Sequence, residues 1–73
     1  MENSTNNIPA VDRALNVLEF LGTRGSATVK EISEVLRIPI VSTSRLVKTL
    51  VNRGYLQEIK GVSSMYSLGI KML

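Results

Sequence analysis

The stretch from Thr28 to Arg53, TVKEISEVLRIPIVSTSRLVKTLVNR, decides the fold. Two segments with a helical spacing of apolar residues lie on either side of Arg37-Ile38-Pro39. Proline has no amide hydrogen to donate and disfavours the helical conformation in the residue before it, so a helix cannot continue through this point. The stretch therefore predicts two short helices joined by a tight turn.

The helix before the turn is predicted to run from about Val29 to Leu36. Thr28 and Glu31 have the Ser/Thr-x-x-Glu spacing of a capping box, in which each side chain accepts a hydrogen bond from the other residue's backbone amide. The apolar positions that recur on one side of this helix form its buried stripe: Val29, Ile32 and Leu36.

The helix after the turn is predicted to begin at Pro39 or Ile40 and to end at about Arg53. Its buried side carries Thr43, Leu46, Val47 and Leu50. At about 100° per residue, the opposite side carries Val41, Arg45, Lys48 and Asn52, with Ser44 at its flank. Gly54 supplies the left-handed residue that commonly ends a helix, and Tyr55 can then pack back on Leu50.

The sequence on both sides of this pair completes the fold. A first helix is predicted from about Ala10 to Leu21, followed by a turn that Gly22 and Gly25 bracket. Its apolar stripe consists of Val11, Ala14, Leu15, Leu18 and Leu21. After the pair, strand-like segments at Tyr55–Ile59 and Met65–Leu68 flank a loop at Lys60–Ser64 and predict a hairpin. The fold class is mainly α with a small β-hairpin, a winged helix-turn-helix of three helices plus a wing.

The two ends of the chain have different compositions. Residues 1–7 are polar and predict a disordered tail, whereas residues 8–68 form the domain. Residues 69–73 include an apolar run typical of the start of another helix, which suggests a fragment of a longer protein. Val17 and Phe20 lie beside the stripe of the first helix. They belong either to the periphery of the core or, as slightly favoured, to a dimer surface with Ile70, Met72 and Leu73.

Composition excludes most enzymatic chemistry. The 73 residues include no cysteine, histidine or tryptophan. Thiol and imidazole ligands for zinc or haem are therefore absent, and so is a histidine base for nucleophilic catalysis. We expect no catalytic residue, no metal and no cofactor. No apolar run reaches the roughly 18 residues of a membrane span, so we expect a cytoplasmic protein without membrane contact.

The charges favour a polyanionic partner. The formal net charge is +3, and no acidic residue lies between Glu34 and Glu58. The cations of that interval are Arg37, Arg45, Lys48 and Arg53. The major groove of B-DNA is about 12 Å wide and admits one helix, and the second helix of such a pair is the one that enters it. The sequence therefore predicts sequence-specific binding of double-stranded DNA, although a basic helix face can also be merely solvated.

Individual residues of the second helix of the pair receive hypothetical roles. Arg45 is the best candidate to read a base edge, since a guanidinium can bond guanine through two hydrogen bonds, and a phosphate contact is the nearest alternative. Lys48 is expected to meet phosphate. Ser42 and Ser44 can bond either a base or a phosphate. Ile40 and Val41 can touch thymine methyl groups, unless Ile40 folds back against the domain.

Candidates for DNA contact also lie outside this helix. Thr28 caps the preceding helix and can offer a hydrogen bond to phosphate. In the wing, Lys60, Ser63 and Ser64 can reach a neighbouring minor groove or its backbone.

Several motifs, taken in order, resemble the IclR family of bacterial and archaeal transcription regulators. Val11-Asp12-Arg13-Ala14-Leu15-Asn16-Val17-Leu18 is similar to the family's first-helix signature. Further matches are Glu31-Ile32-Ser33, Ile38-Pro39 followed by Ser42, Arg45-Leu46 and Leu50, then Arg53-Gly54-Tyr55-Leu56 and Tyr66-Ser67-Leu68-Gly69. The resemblance covers about residues 8–73.

The resemblance implies more than the residue patterns do. It implies a homodimer, or a dimer of dimers, that binds inverted-repeat operator DNA, with residues 69–73 as the start of a linker helix. A small-molecule effector would bind a second domain that this sequence lacks. DNA contact is implied for Ser42, Ser44, Arg45 and the wing.

Three features of the sequence depart from the family's pattern. Arg37 stands where glycine is usual, which costs on the order of 1 kcal/mol if its φ is positive. Ile40 and Val41 replace polar residues, and the loop Lys60–Ser64 lacks arginine. The apolar Ile40 and Val41 also support a rival hypothesis. In it, the chain is a winged helix that binds another protein and no nucleic acid.

Overall fold

A computed structural model describes residues 8–61 and 65–69 of the chain. The elements are α1 (Pro9–Arg24), β1 (Ser26–Thr28), α2 (Val29–Leu36), α3 (Ile40–Asn52), β2 (Leu56–Glu58) and β3 (Met65–Leu68). The strands form an antiparallel sheet in the order β1-β3-β2. A mainly helical domain with a small sheet confirms the predicted winged helix fold.

The helix pair at the centre of the sequence forms as predicted. α2 has the predicted bounds, and α3 ends one residue before the predicted end. The Thr28 hydroxyl accepts a hydrogen bond from the Glu31 amide at 3.1 Å, and the Thr28 amide donates to the Glu31 carboxylate at 2.9 Å. This confirms the capping box, which fixes the residue at which α2 begins.

The turn between α2 and α3 is held by one buried residue. Ile38 is 4% exposed, and its carbonyl accepts hydrogen bonds from the Ser33 hydroxyl at 2.6 Å and the Thr43 hydroxyl at 3.3 Å. Its amide donates to the Ser33 carbonyl at 3.1 Å. Arg37 has the left-handed φ of 57°, so the strain expected of a residue other than glycine is present at this turn.

α1 is longer than predicted. It begins at Pro9, where a proline suits the first turn, and ends at Arg24. Gly22 lies inside the helix, so its prediction as part of the turn is wrong. Gly25 alone ends the helix, with a φ of 101° and an amide that donates to the Leu21 carbonyl at 2.8 Å. A helix tolerates one glycine when the residues around it continue the apolar pattern and pack.

The predicted apolar stripe of α1 does not coincide with its buried face. Val17 is fully buried at the centre of the core, so its assignment to a dimer surface is wrong. Leu21 is buried as predicted, whereas Val11 and Leu15 remain 54% and 51% exposed. Phe20 is partly buried against the core, and the Arg24 guanidinium lies 5.8 Å from the centre of its ring.

The sheet contains a strand that the sequence did not predict. β2 and β3 pair with Leu56 opposite Leu68, and the Ile59 amide donates to the Met65 carbonyl, as expected for the hairpin. β1 pairs with the other edge of β3 and places the fully buried Ala27 opposite Tyr66. The added strand ties the loop before α2 to the wing.

Gly69 joins the end of the wing to the end of α3. Its amide donates to the Tyr55 carbonyl at 2.7 Å, and the Tyr55 amide donates to the Leu50 carbonyl at 2.9 Å. A side-chain Cβ at residue 69 would lie 2.5 Å from the Gly54 carbonyl oxygen, which is closer than real Cβ contacts. Gly54 has a φ of 87° and supplies the predicted left-handed end after α3.

Other predictions concern residues outside the described ranges. These are the tail at residues 1–7, the loop residues Ser63 and Ser64, and the helix start at residues 70–73. In the described part of the chain, no helix is long and apolar enough to cross a membrane.

The ion pair at the start of α2 predicts an acid dependence of stability. The pKa of Glu31 lies below its ordinary value, chiefly because the Thr28 amide bonds the carboxylate. Burial opposes the shift, and the Arg24 guanidinium, 2.8 Å away, adds to it. A lowered pKa in the folded state means that the contribution to stability is present above the pKa of the unfolded chain. It is lost as the pH falls through the folded pKa.

We expect Glu31→Gln to remove this part of the pH dependence. Glutamine retains the capping hydrogen bond but cannot titrate. The free energy of unfolding, measured by urea titration at several acidic and neutral pH values, should fall less steeply towards low pH in the variant. An unchanged slope would mean that Glu31 does not stabilise the domain through its charge.

Candidate nucleic-acid interface

One face of α3 is exposed and carries its positive charges. Val41, Arg45, Lys48 and Asn52 are all exposed, as the helical spacing predicts. Ser42 and Ser44 are partly exposed at the two flanks of this surface. We call these six residues the presented face: Val41, Ser42, Ser44, Arg45, Lys48 and Asn52.

The opposite side of α3 fixes which residues are presented. Thr43 and Val47 are fully buried, and Leu50 lies in the core beside them. The single hydroxyl hydrogen of Thr43 is shared between the Pro39 carbonyl, with an oxygen–oxygen distance of 3.0 Å, and the Ile38 carbonyl, at 3.3 Å. A buried hydroxyl with a partner carries no penalty for an unmet hydrogen bond, so a threonine is acceptable in this core. Rotation of α3 about its axis would move these buried side chains into solvent.

The two cations of the presented face are available to a ligand. Within residues 8–61 and 65–69, neither Arg45 nor Lys48 has a carboxylate within ion-pair distance. The described ion pair joins Arg24 to Glu31, away from α3. A bound anion therefore does not have to displace an existing partner from Arg45 or Lys48.

Arg13 of α1 extends the positive surface, and sequence reasoning did not identify it. Arg13 lines one depression together with Ser42 and Arg45, at the place where α1 crosses α3. Its spacing in α1 marks it only as an exposed helix residue. Its proximity to Arg45 depends on the crossing of two helices, for which the local pattern contains no signal.

Glu58 limits the positive surface on the opposite side. Lys48 and Asn52 line a second depression together with Glu58 and Tyr66 of the wing. No acidic residue lies between Glu34 and Glu58 in the sequence, but in the folded domain Glu58 lies next to Lys48. The depression that Arg13 and Arg45 line has two cations and no carboxylate among its lining residues, which favours an anionic ligand there.

The other candidates are arranged around the presented face. Ile40 precedes it at the first position of α3 and is half exposed, so it does not fold back into the core. Thr28 is half buried at the start of α2, where its oxygen is already an acceptor in the capping box. Lys60 is exposed in the turn after β2 and so does not belong to α3. The structure brings the α3 candidates together on one helix and leaves Thr28 and Lys60 on separate elements.

Comparisons with known proteins agree with this geometry. The family model for the IclR helix-turn-helix domain matches residues 10–59. An IclR family transcriptional regulator from Brucella abortus is similar in structure, with a TM-score of 0.81 and 32% sequence identity over 99% of this chain. HmgR from Pseudomonas aeruginosa is similar in fold, with a TM-score of 0.78 and 17% identity over 89% of this chain.

The matched structures are much longer than this chain. The alignment covers 27% of the Brucella abortus chain and 28% of the HmgR chain. Among curated proteins, no significant match is found.

Proposed function

The chain belongs to the IclR helix-turn-helix domain family, and from this premise we propose that it binds double-stranded operator DNA in a sequence-specific manner. The family is one of transcription regulators, and its helix-turn-helix domain is their DNA-binding part. α3 enters the major groove, with α2 and the wing against the flanking backbone. The observation that carries the proposal is the presented face, which has no carboxylate among its six residues and two cations that form no ion pair within the described part of the chain.

Each residue of the proposed interface receives a role from its chemistry. Arg45 reads a guanine edge, because its guanidinium can donate two parallel hydrogen bonds to O6 and N7. Lys48 and Arg13 meet phosphates, as do the hydroxyls of Thr28 and Ser44. Ser42 bonds a base edge or a phosphate beside Arg45. Lys60 brings the wing, together with Ser63 and Ser64, to the neighbouring backbone.

The parent protein is proposed to be a homodimer that acts in the cytoplasm, where operator DNA lies. This chain is proposed to supply its DNA-binding domain, which comprises residues 8–68. A small-molecule effector binds a domain outside the sequence, and no reaction is catalysed. The exposed Val11 and Leu15 of α1 support a contact between subunits, because neighbouring apolar side chains are stabilised when another protein surface removes them from water.

A second function, binding to another protein without nucleic acid, has one specific observation in its favour. Ile40 and Val41 are exposed apolar residues at the start of α3. A protein partner would cover them by apolar contact, and its affinity would depend little on salt.

A salt titration separates the two functions. If Arg13, Lys48 and Lys60 each neutralise one phosphate, the logarithm of the binding constant should fall with the logarithm of salt concentration at a slope of roughly −2.7, because each neutralised phosphate contributes roughly −0.9. Fluorescence anisotropy with a labelled duplex measures the slope. Lys48→Ala should make the slope shallower by roughly 0.9. A flat response in the unmodified chain would reject DNA binding and favour the protein-binding function.

A further inference from the structure

Val41 is an exposed apolar side chain at the start of α3, on the same face as the two cations of that helix. It is 63% exposed, the second-highest exposure among the large apolar residues of the described ranges. It precedes Arg45 by four residues and Lys48 by seven, so the three side chains lie in one row along α3. Ile40 is 52% exposed but lies about 100° around the helix from Val41, towards the buried Val47.

The surroundings of Val41 determine what can cover it. A single exposed valine needs no explanation on an ordinary surface. Here, however, the row continues with Arg45 and Lys48, which have no described partners and attract a polyanion. A ligand that binds both cations also lies close to Val41, since one helical turn of about 5.4 Å separates Val41 from Arg45. The occupant of the row is therefore one anionic molecule with an apolar group close to its charges.

Duplex DNA meets this requirement at one base. The edges of the base pairs in the major groove present hydrogen-bond donors and acceptors, and the only apolar group among them is the C5 methyl group of thymine. A valine cannot bond the polar edges, so cytosine, guanine or adenine opposite Val41 would lose hydrogen bonds to water without replacement.

We propose that Val41 contacts a thymine methyl group and makes this chain select an A·T pair beside the guanine read by Arg45. The inference rests on the proposed function and adds the base that this residue selects. One helical turn of about 5.4 Å separates Val41 from Arg45, and base pairs rise about 3.4 Å, so the thymine lies within one or two base pairs of that guanine.

Removing only the methyl group tests the contact. Binding sites are selected from a random duplex library, and each thymine of the preferred site is then replaced in turn by deoxyuridine, which lacks the C5 methyl group. We expect one or two positions at which this replacement weakens binding about fourfold, the equivalent of about 0.8 kcal/mol for one buried methyl-sized group. The measurement is a dissociation constant at fixed salt.

Variants assign the contact to Val41. Val41→Ser should bind the thymine and deoxyuridine duplexes equally, while its salt dependence stays that of the unmodified chain. Val35→Ser is the matched control, because Val35 is an exposed valine on α2. It should keep the fourfold difference, as should Ile40→Ser.

The outcomes separate this inference from the proposed function. Specific, salt-dependent binding with no deoxyuridine effect at any position overturns the thymine contact and leaves DNA binding intact. A deoxyuridine effect that Val41→Ser retains, or that Ile40→Ser removes, overturns the assignment to Val41. Binding without salt dependence or sequence preference rejects the proposed function and this inference with it. The deoxyuridine comparison uses the unmodified chain, so its result does not depend on whether a variant folds.

Discussion

Gly69→Ala should lower the free energy of unfolding of the domain by about 1–3 kcal/mol, the usual cost of forcing an extra carbon into filled space. The new Cβ would lie 2.5 Å from the Gly54 carbonyl oxygen and 3.1 Å from the Leu56 carbonyl carbon. Both neighbours are backbone atoms, which cannot rotate away as the end of a side chain can. Each kcal/mol corresponds to roughly 4–8 °C in melting temperature for a domain of this size, so thermal unfolding followed by circular dichroism measures the effect.

Gly22→Ala is the matched control for this substitution. Its Cβ would meet the Leu68 side chain at 3.6 Å, which is ordinary contact. Because Gly22 lies inside α1, alanine should stabilise the domain by about 0.5–1 kcal/mol through its higher helix propensity. Equal melting temperatures for Gly69→Ala and the unmodified chain would contradict the prediction. They would show that the backbone at residue 69 can move away from Gly54 at little cost.

The second large effect is expected at Arg45 and concerns DNA. Arg45→Ala should reduce the discrimination between the preferred site and random duplex by about 1–3 kcal/mol, or roughly 5- to 150-fold. Loss of a two-hydrogen-bond contact to guanine affects only DNA that has guanine at that position. Competition binding between the two duplexes at one salt concentration measures the discrimination directly.

Lys48→Ala provides the comparison, because it removes a cation from the same helix face. A phosphate is present in every sequence, so this variant should weaken binding to both duplexes by a similar factor. If Arg45→Ala also weakened both duplexes equally, Arg45 would be a phosphate contact. The circular dichroism spectrum should stay unchanged in both variants, since both side chains are exposed.

The sequence predicted those elements of the fold that local patterns determine. The capping box of Thr28 and Glu31 fixed the start of α2, and Pro39 and Gly54 marked the boundaries of α3. β1 was missed because three residues are too few for a period and because its partner strand is distant in sequence.

The orientation of α1 could not be predicted in the same way. Its apolar residues are distributed widely enough to define more than one stripe. The face that includes Val17 is buried because α2, α3 and the sheet pack there, which no local pattern states. The same reason explains why the proximity of Arg13 to Arg45 was not predicted, whereas the shared exposed face of Val41, Arg45 and Lys48 followed from the spacing within one helix.

The hydrogen bonds around Ile38 have a consequence for how this domain meets DNA. Its carbonyl accepts from one side chain of α2 and one of α3, so the two helices are fixed at one angle before any ligand arrives. A turn held in this way lowers the conformational entropy that this part of the domain loses on association. The same preorganisation prevents the pair from adapting its shape, so a duplex with a different groove width must deform itself to fit.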